Sequence, residues 1–449
     1  MDENELMDAA LAAAGILKAK GIAGYDVYVR GSAASSAEVK EQKLDAFEEA
    51  RTWGVGIRAL LPDGRMGFAF STGSADAARE AALKAAQNAE NSEPDEMNAV
   101  PAPPIDPFPD FTDFDDSLSK LTEEDKIGYA MTLEDAARRF DGRITKVRSA
   151  SASFTEAWWV LVNSNGVKAQ SKGTYVGCGI MAVAEDGGDS QMGYGFESGR
   201  RVDRLDFRAV GTDAAFRAIS LLGARKPPSG SFPVILENYI APDFLGVLAA
   251  SFSGEALIKG RSMLPGKLGK KICSELIGIY DDGLLPGGTA SRSFDDEGVP
   301  SQTTPLVEGG VLRGFLHSTY TARKAGAVST GNAVRGGFRS GPMVGATNLY
   351  IRAGASTRDS MITSVSSGLI VQEVLGMHTA NPVSGDFSVG VSGQWIEGGK
   401  VAYPVREAAI AGNILSVFSE VEAVGDDLRF QGRAGSPTIL LRPISVSGS

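Results

Sequence analysis

Thr52-Trp53-Gly54-Val55-Gly56-Ile57 and, past the turn pair Asp63-Gly64, Met66-Gly67-Phe68-Ala69-Phe70-Ser71-Thr72-Gly73 form the stretch on which the fold turns. Apolar, aromatic and glycine residues run through both parts, and Asp-Gly between two such runs marks a hairpin. The pattern returns as Tyr175-Val176-Gly177-Cys178-Gly179-Ile180 and Met192-Gly193-Tyr194-Gly195-Phe196-Glu197-Ser198-Gly199, at offsets of 123 and 126 residues. A short insertion in the second turn, Glu185 to Ser190, accounts for the change of offset. Each copy leads into an amphipathic helix. After the first, Ser74 caps a segment with Ala77, Ala78, Ala81, Ala82 and Ala85; after the second, the helix spans about Leu205 to Leu222. Self-similarity of this kind reads as two related β-hairpin-plus-helix units.

Working outward, Asp2 and Glu5 open a first helix striped by Leu6, Ala10, Ala13 and Leu17 and stopped by Gly21. Strands are expected at Tyr25 to Arg30, Glu38 to Phe47 and Trp53 to Leu61. Six prolines between Pro94 and Pro109 exclude a helix or central strand and mark an extended strap. Thr122 with Asp125 starts another helix, striped by Ala130, Leu133, Ala137 and Phe140. Lys226-Pro227-Pro228-Ser229-Gly230 is the best domain boundary, followed by a strand from Phe232 to Leu236 and a helix expected over Pro242 to Ile258. Beyond about residue 275 glycine-rich strand patterns dominate, with Gly309-Gly310 and Gly398-Gly399 as hairpin turns. The expected fold is α+β: an N-terminal domain over 1–226, built from the two repeated units, then a β-rich C-terminal domain over 231–449.

The 449 residues are 43% hydrophobic and 22% charged, a globular balance. A net charge of −11 has the wrong sign for affinity built on phosphate neutralisation, so direct nucleic-acid binding is disfavoured. Two cysteines, Cys178 and Cys273, read as buried thiols of a reducing compartment. The acidic start, Met1-Asp2-Glu3-Asn4-Glu5, is unlike a signal peptide, and no apolar run reaches the length of a membrane span. A cytoplasmic location is expected.

Local catalytic motifs are few. Gly54-Val55-Gly56 and Gly177-Cys178-Gly179 fit a relaxed dinucleotide fingerprint, but that loop must follow a strand and open a helix, and both copies lie inside strand patterns. Glycines at a close backbone approach are the better account. His317, His378, Cys178 and Cys273 are all the imidazole and thiol ligands the chain owns, with no local chelating pair among them. No G-x-S-x-G elbow is present. The acidic groups Asp281-Asp282, Asp295-Asp296-Glu297 and Asp426-Asp427 lack calcium-loop spacing and read as solvated turns.

A longer ordered set carries a resemblance. Phe294-Asp295-Asp296-Glu297-Gly298, then Gly309 with Val311-Leu312, Ser318-Thr319-Tyr320-Thr321-Ala322-Arg323-Lys324, Thr330-Gly331-Asn332, Gly385-Asp386-Phe387-Ser388, Tyr403-Pro404-Val405 and Ala409-Ile410-Ala411-Gly412-Asn413 resemble the TldD/PmbA family. Nearly the whole chain fits in order, and it is most similar to the PmbA branch, also called TldE and labelled a modulator of DNA gyrase. The resemblance implies a metallopeptidase system. Its TldD-type subunit carries an H-E-x-x-x-H helix and a C-terminal cysteine that hold zinc, with the glutamate as general base. By register those histidines and that glutamate fall here on Gly246, Ser251 and Val247, and the cysteine near Ala434-Gly435, none of which can serve. The expectation is therefore no metal and no catalytic residue in this chain, with zinc in a TldD-type partner.

Arg323 and Lys324 are candidates for a peptide carboxylate or a partner's acidic surface, and Asn332 for an extended peptide backbone. Asp295, Asp296 and Glu297 are weaker candidates of the same kind; the alternative for all six is turn capping and core support. Three functions follow. One is a PmbA/TldE-type subunit of a cytosolic peptidase system acting on peptides or unfolded polypeptides, paired with a TldD-type chain or with itself. The others are a homodimeric peptide-binding scaffold without hydrolysis, and a regulator of DNA gyrase.

Overall fold

The computed structural model describes residues 3–111 and 113–448. Asp2, expected in the first helix start, lies outside them. From Glu3 the chain forms α1 (Glu3–Ala19), β1 (Gly24–Lys40), β2 (Lys43–Leu60), β3 (Met66–Thr72) and α2 (Ala75–Glu90). Then come α3 (Glu123–Phe140), β4 (Ile144–Asn163), β5 (Lys168–Asp186), β6 (Asp189–Gly199) and α4 (Phe207–Ser220). The repeat is thus larger than its hairpins: each unit is helix, three strands, helix. The six strands make one antiparallel sheet in the order β3-β2-β1-β4-β5-β6, with β1 against β4 at the centre.

All four helices cover one face. α1 and α2 pack on Val27, Val29, Val55 and Ile57, while α3 and α4 pack on Ala150, Phe154, Val176 and Ile180. Each unit uses one glycine for that packing: a Cβ on Gly67 would lie 2.0 Å from the carbonyl oxygen of Ala85 in α2, and one on Gly193 2.2 Å from that of Ala214 in α4. Ser74 accepts from the Ala77 amide, and Thr122 with Asp125 forms a full capping box, as their positions foretell.

The strand expected over Glu38 to Phe47 is instead the tip of a long hairpin, turning at Glu41 and Gln42 with φ of 54° and 56°. Neither residue favours that conformation. The turn is held from outside. Glu134 of α3, fully buried, accepts from the amides of Glu41 at 2.8 Å and Gln42 at 2.7 Å, a contact no local pattern displays.

The remaining chain forms β7 (Gly230–Leu236), α5 (Ala241–Ala249), α6 (Gly254–Ile258), β8 (Ile279–Asp282), β9 (Thr303–Glu308), β10 (Val311–Leu312) and α7 (Thr319–Ala325). These are followed by β11 (Ala333–Val334), β12 (Met343–Val344), β13 (Leu349–Ile351), α8 (Arg358–Ser364), β14 (Ser367–Leu375), β15 (Asp386–Glu397) and β16 (Lys400–Asn413). Last come α9 (Ile414–Ser419), β17 (Val421–Val424), β18 (Arg429–Gln431), β19 (Ala434–Ser436) and β20 (Ile439–Ser447). β16, β15, β14, β7 and β20 close into a five-stranded barrel through the β16–β20 pairing. A second sheet, β10-β9-β8-β13-β19-β18, packs against it around Phe244, Leu245, Phe252, Ile279 and Val371. Both Gly-Gly pairs turn hairpins, Gly309-Gly310 between β9 and β10 and Gly398-Gly399 between β15 and β16.

The single helix expected over Pro242 to Ile258 is broken. α5 ends in a 3-10 turn at Ala250–Phe252, and Ser253 caps the short α6. The interruption is a strand-like exchange: the Gly254 amide donates to the Leu316 carbonyl and the Leu316 amide to that of Phe252, each at 2.8 Å. No helix among the described residues is long and apolar enough to cross a membrane.

Candidate functional site

The loop Asp295-Asp296-Glu297 is no solvated turn; its three carboxylates are 0%, 6% and 0% exposed. Asp295 accepts from the amides of Glu297, Val299 and Ala333. Burial and the neighbouring Glu297 carboxylate raise its pKa, and the amides of Val299 and Ala333 oppose them. Asp296 pairs with Arg292 at 2.7 Å and accepts from the Arg335 amide. Glu297 accepts from Arg58 of β2 and from the amide of Thr319, the first residue of α7, both at 2.9 Å.

Arg58 opens the other half of this network. Its guanidinium also pairs with Asp26 of β1, whose second oxygen accepts from Arg335 at 2.9 Å. Burial works against the Asp26 carboxylate, but Arg335 and Arg58 outweigh it and hold its pKa below the usual range. Four buried charges therefore lock the N-terminal sheet to the loops of the C-terminal half. Sequence reasoning passed over Asp26, Arg58 and Arg335; the available signal was a charged residue inside an apolar strand run, Tyr25-Asp26-Val27 and Ile57-Arg58-Ala59. Gly54 and Gly56 complete the contact, since a Cβ on either would strike Phe338. The close-approach reading of this glycine pair holds.

The remaining predicted residues fall into two groups. Arg323 and Lys324 of α7 are exposed and turned on the proline-rich strap: Arg323 donates to the Glu96 carbonyl at 2.8 Å, while Lys324 sits 3.4 Å from Asp95, which also accepts from Tyr320. Asn332 is buried, donating to Asp281 at 2.6 Å and to the Gly345 carbonyl, and accepting from Thr330. Asp281, read as part of a solvated turn, is likewise buried, and burial raises its pKa. In this structure Asn332 and Asp295 face protein, while Asp296 lies at the wall of one cavity and Glu297 at that of another.

Gly246 and Val247 meet the remote Ala434 in one open cleft of about 470 Å³ between α5 and β19. Ser251 is elsewhere: fully buried, it accepts from the Met263 amide. Asp243 and His378 also line the cleft. His317 lies in the interior, and Cys178 and Cys273 sit in two different cores, where burial pushes both thiols up to about 12. Among the described residues no three His, Cys, Asp or Glu side chains converge as a metal site would require.

The models of the PmbA/TldA metallopeptidase family match this chain in three parts: domain 1 over residues 25–92, the central domain over 116–222 and the C-terminal domain over 229–448. Metalloprotease PmbA of Escherichia coli O157:H7 is 30% identical over 331 residues, 74% of this chain and 71% of that protein. A protein of Methanothermobacter thermautotrophicus named metalloprotease is 31% identical over 453 residues, covering 94% and 95% of the two chains. Among solved structures, a Thermotoga maritima MSB8 protein labelled a modulator of a DNA gyrase superposes with a TM-score of 0.89 at 27% identity, covering 98% and 99%.

Proposed function

Since the chain belongs to the PmbA/TldD metallopeptidase family, we propose that it is the PmbA/TldE-type subunit of a peptidase system, acting on peptides or unfolded polypeptides only with a TldD-type partner. The observation that supports this is the cleft beside α5. Catalytic zinc takes three protein ligands, and the cleft offers only Asp243 and His378 as donors of the right chemistry. Gly246, Val247 and Ala434 contribute no donor, and Ser251 is turned into the core. Zinc does not fit this donor set, so no catalytic step is assigned to this chain. Its part is to shape the path of an extended peptide towards the partner's centre.

Two measurements on tag-free full-length protein, purified without chelator, test the reading. Zinc per chain by mass spectrometry is expected near zero; a value close to one overturns the donor argument. Mixing with a TldD-type subunit is expected to produce cleavage of unfolded polypeptide that neither chain shows alone. A stable self-dimer with no cleavage in the mixture would favour the scaffold reading instead.

A further inference from the structure

Between the N-terminal sheet and the C-terminal half lies a cavity of about 450 Å³ in which cations outnumber carboxylates. Arg30, Lys172, Arg200, Arg292, Arg335 and Arg433 line it, against Asp296 alone, in a chain whose net charge is −11. The internal pairings do not balance this excess. Both Asp296 oxygens are taken, by Arg292 and by the Arg335 amide. Lys172 pairs with Glu3, and Arg335 with Asp26. Arg30, Arg200 and Arg433 have no carboxylate partner among the described residues. Arg200 is 4% exposed, donates to the carbonyls of Gly288, Thr289 and Ser291 and lies over the rings of Phe111 and Tyr175, so its buried charge meets dipoles and aromatic faces but no anion. The Arg30 guanidinium touches only the Trp159 ring, 5.7 Å from its centroid. At the inner wall, Nη1 of Arg335 has no hydrogen-bond partner although the side chain is fully buried.

Buried positive charge without a counter-ion is costly, and an anion entering the cavity relieves it. We propose that this cavity is a binding site for a compact carboxylate carried on an apolar or aromatic body. The carboxylate sits against Arg30, with Arg433 at the exposed side, and the body packs on Trp159 and Phe294. The volume falls in the range of small-molecule sites and suits a ligand about the size of a dipeptide. Phosphate fits less well. A compact dianion needs a shell of donors to offset its desolvation, whereas here much of the wall is aromatic and half of the guanidinium N–H groups of Arg200 and Arg335 are already engaged. The same carboxylate chemistry is offered by the C-terminus of a short peptide and by a free arylalkanoic acid. The assignment stands apart from the peptidase reading, because it concerns what this chain holds alone.

Titration calorimetry of the full chain, with tryptophan fluorescence in parallel, tests it with four probes: N-acetyl-Ala-Phe, its C-terminal amide, 3-phenylpropionate and inorganic phosphate. N-acetyl-Ala-Phe is expected to bind, and its amide to bind at least about tenfold more weakly, since a charge-assisted contact is lost. Binding of 3-phenylpropionate as well identifies a site open to any such acid; binding of the peptide acid alone identifies a peptide end. Arg30→Gln is expected to weaken binding about tenfold and Arg433→Gln less, both with unchanged melting temperature, because neither side chain makes a hydrogen bond within the described fold. Equal affinity for acid and amide overturns the proposal. So do unchanged affinity in both variants, tighter binding of phosphate than of either acid, or no response to either acid at millimolar concentration.

Discussion

At Gly56 an added Cβ would lie 2.3 Å from the carbonyl oxygen of Phe338, whereas at Gly179, its match in the second unit, the nearest atoms are 3.9 Å away and belong to the same sheet. The turn between the first two strands of each unit differs as well. Glu41 and Gln42 are forced into a left-handed conformation and held by Glu134, while the matching turn between β4 and β5 places a glycine, Gly166, at its positive φ of 98°. Arg58, the centre of the buried network, corresponds at the same offset to Met181. What the units share is internal, as in Gly67 and Gly193 under their helices. What distinguishes the first is what it meets in the C-terminal half: Gly54 and Gly56 lie against Phe338 and Arg58 against Glu297, whereas the second unit reaches that half elsewhere, with Arg200 on the carbonyls of Gly288 and Ser291. The comparison teaches that a repeated sequence pattern reports the fold of the unit and not the surface against which each unit is set.

The sharpest way to break this contrast is to give the first unit the residue of the second. Arg58→Met leaves Glu297 without a cation and Asp26 with Arg335 alone, and is expected to cost about 3–5 kcal/mol in guanidinium unfolding; a loss below about 1 kcal/mol would mean the network does not bind the two halves. The network also sets the acid response. Asp26 titrates lower in the folded than in the unfolded chain, so its contribution is present above about pH 4 and lost as pH falls through the folded value. A melting temperature that drops between about pH 5 and pH 3 in the parent, and less in Arg58→Met, is the expected result.

Gly56→Ala is expected next, at about 2–3 kcal/mol, because backbone cannot yield as a side chain tip can. Gly179→Ala should stay within about 0.5 kcal/mol. Equal effects at the two positions in parallel urea titrations would dissolve the contrast.

The turn gives the smaller effect. Glu134→Gln keeps one acceptor of two and weakens the pair with Arg138, for about 1–3 kcal/mol. Replacing Glu41 and Gln42 by glycine in that background should restore about 1 kcal/mol or more, since glycine takes a positive φ without steric cost. Failure of the glycines to rescue would locate the role of Glu134 in α3 packing and not in the turn.

Some of the candidate site was legible and some was not, and the residues show why. The family pattern pointed to Gly246, Val247, Ser251 and the neighbourhood of Ala434, and the fold brings all of these but Ser251 to one cleft. It also pointed to Asn332 and the acidic loop, which are buried although Asp296 and Glu297 reach cavity walls, because a motif preserves identity and order while exposure depends on what is packed above it. Arg30 and Arg335 carried no motif at all. Their significance is a charge count around a cavity, and the pairings that decide the count span most of the chain.

The amino-acid sequence by itself determined the α+β class, the doubling of the N-terminal unit, the helix caps and the Gly-Gly hairpins, since hydrophobic period, capping and turn chemistry act over a few neighbouring residues. The tertiary structure alone decided the Glu41–Gln42 turn, the break after α5, the buried network and the cationic cavity. In each, the deciding partner is remote: Glu134 lies 93 residues from Glu41, Glu297 lies 239 from Arg58, and Arg335 lies 309 from Asp26. A buried charge or a strained turn is stable only when that distant partner arrives, so its meaning is set by folding and not by its neighbours in the chain.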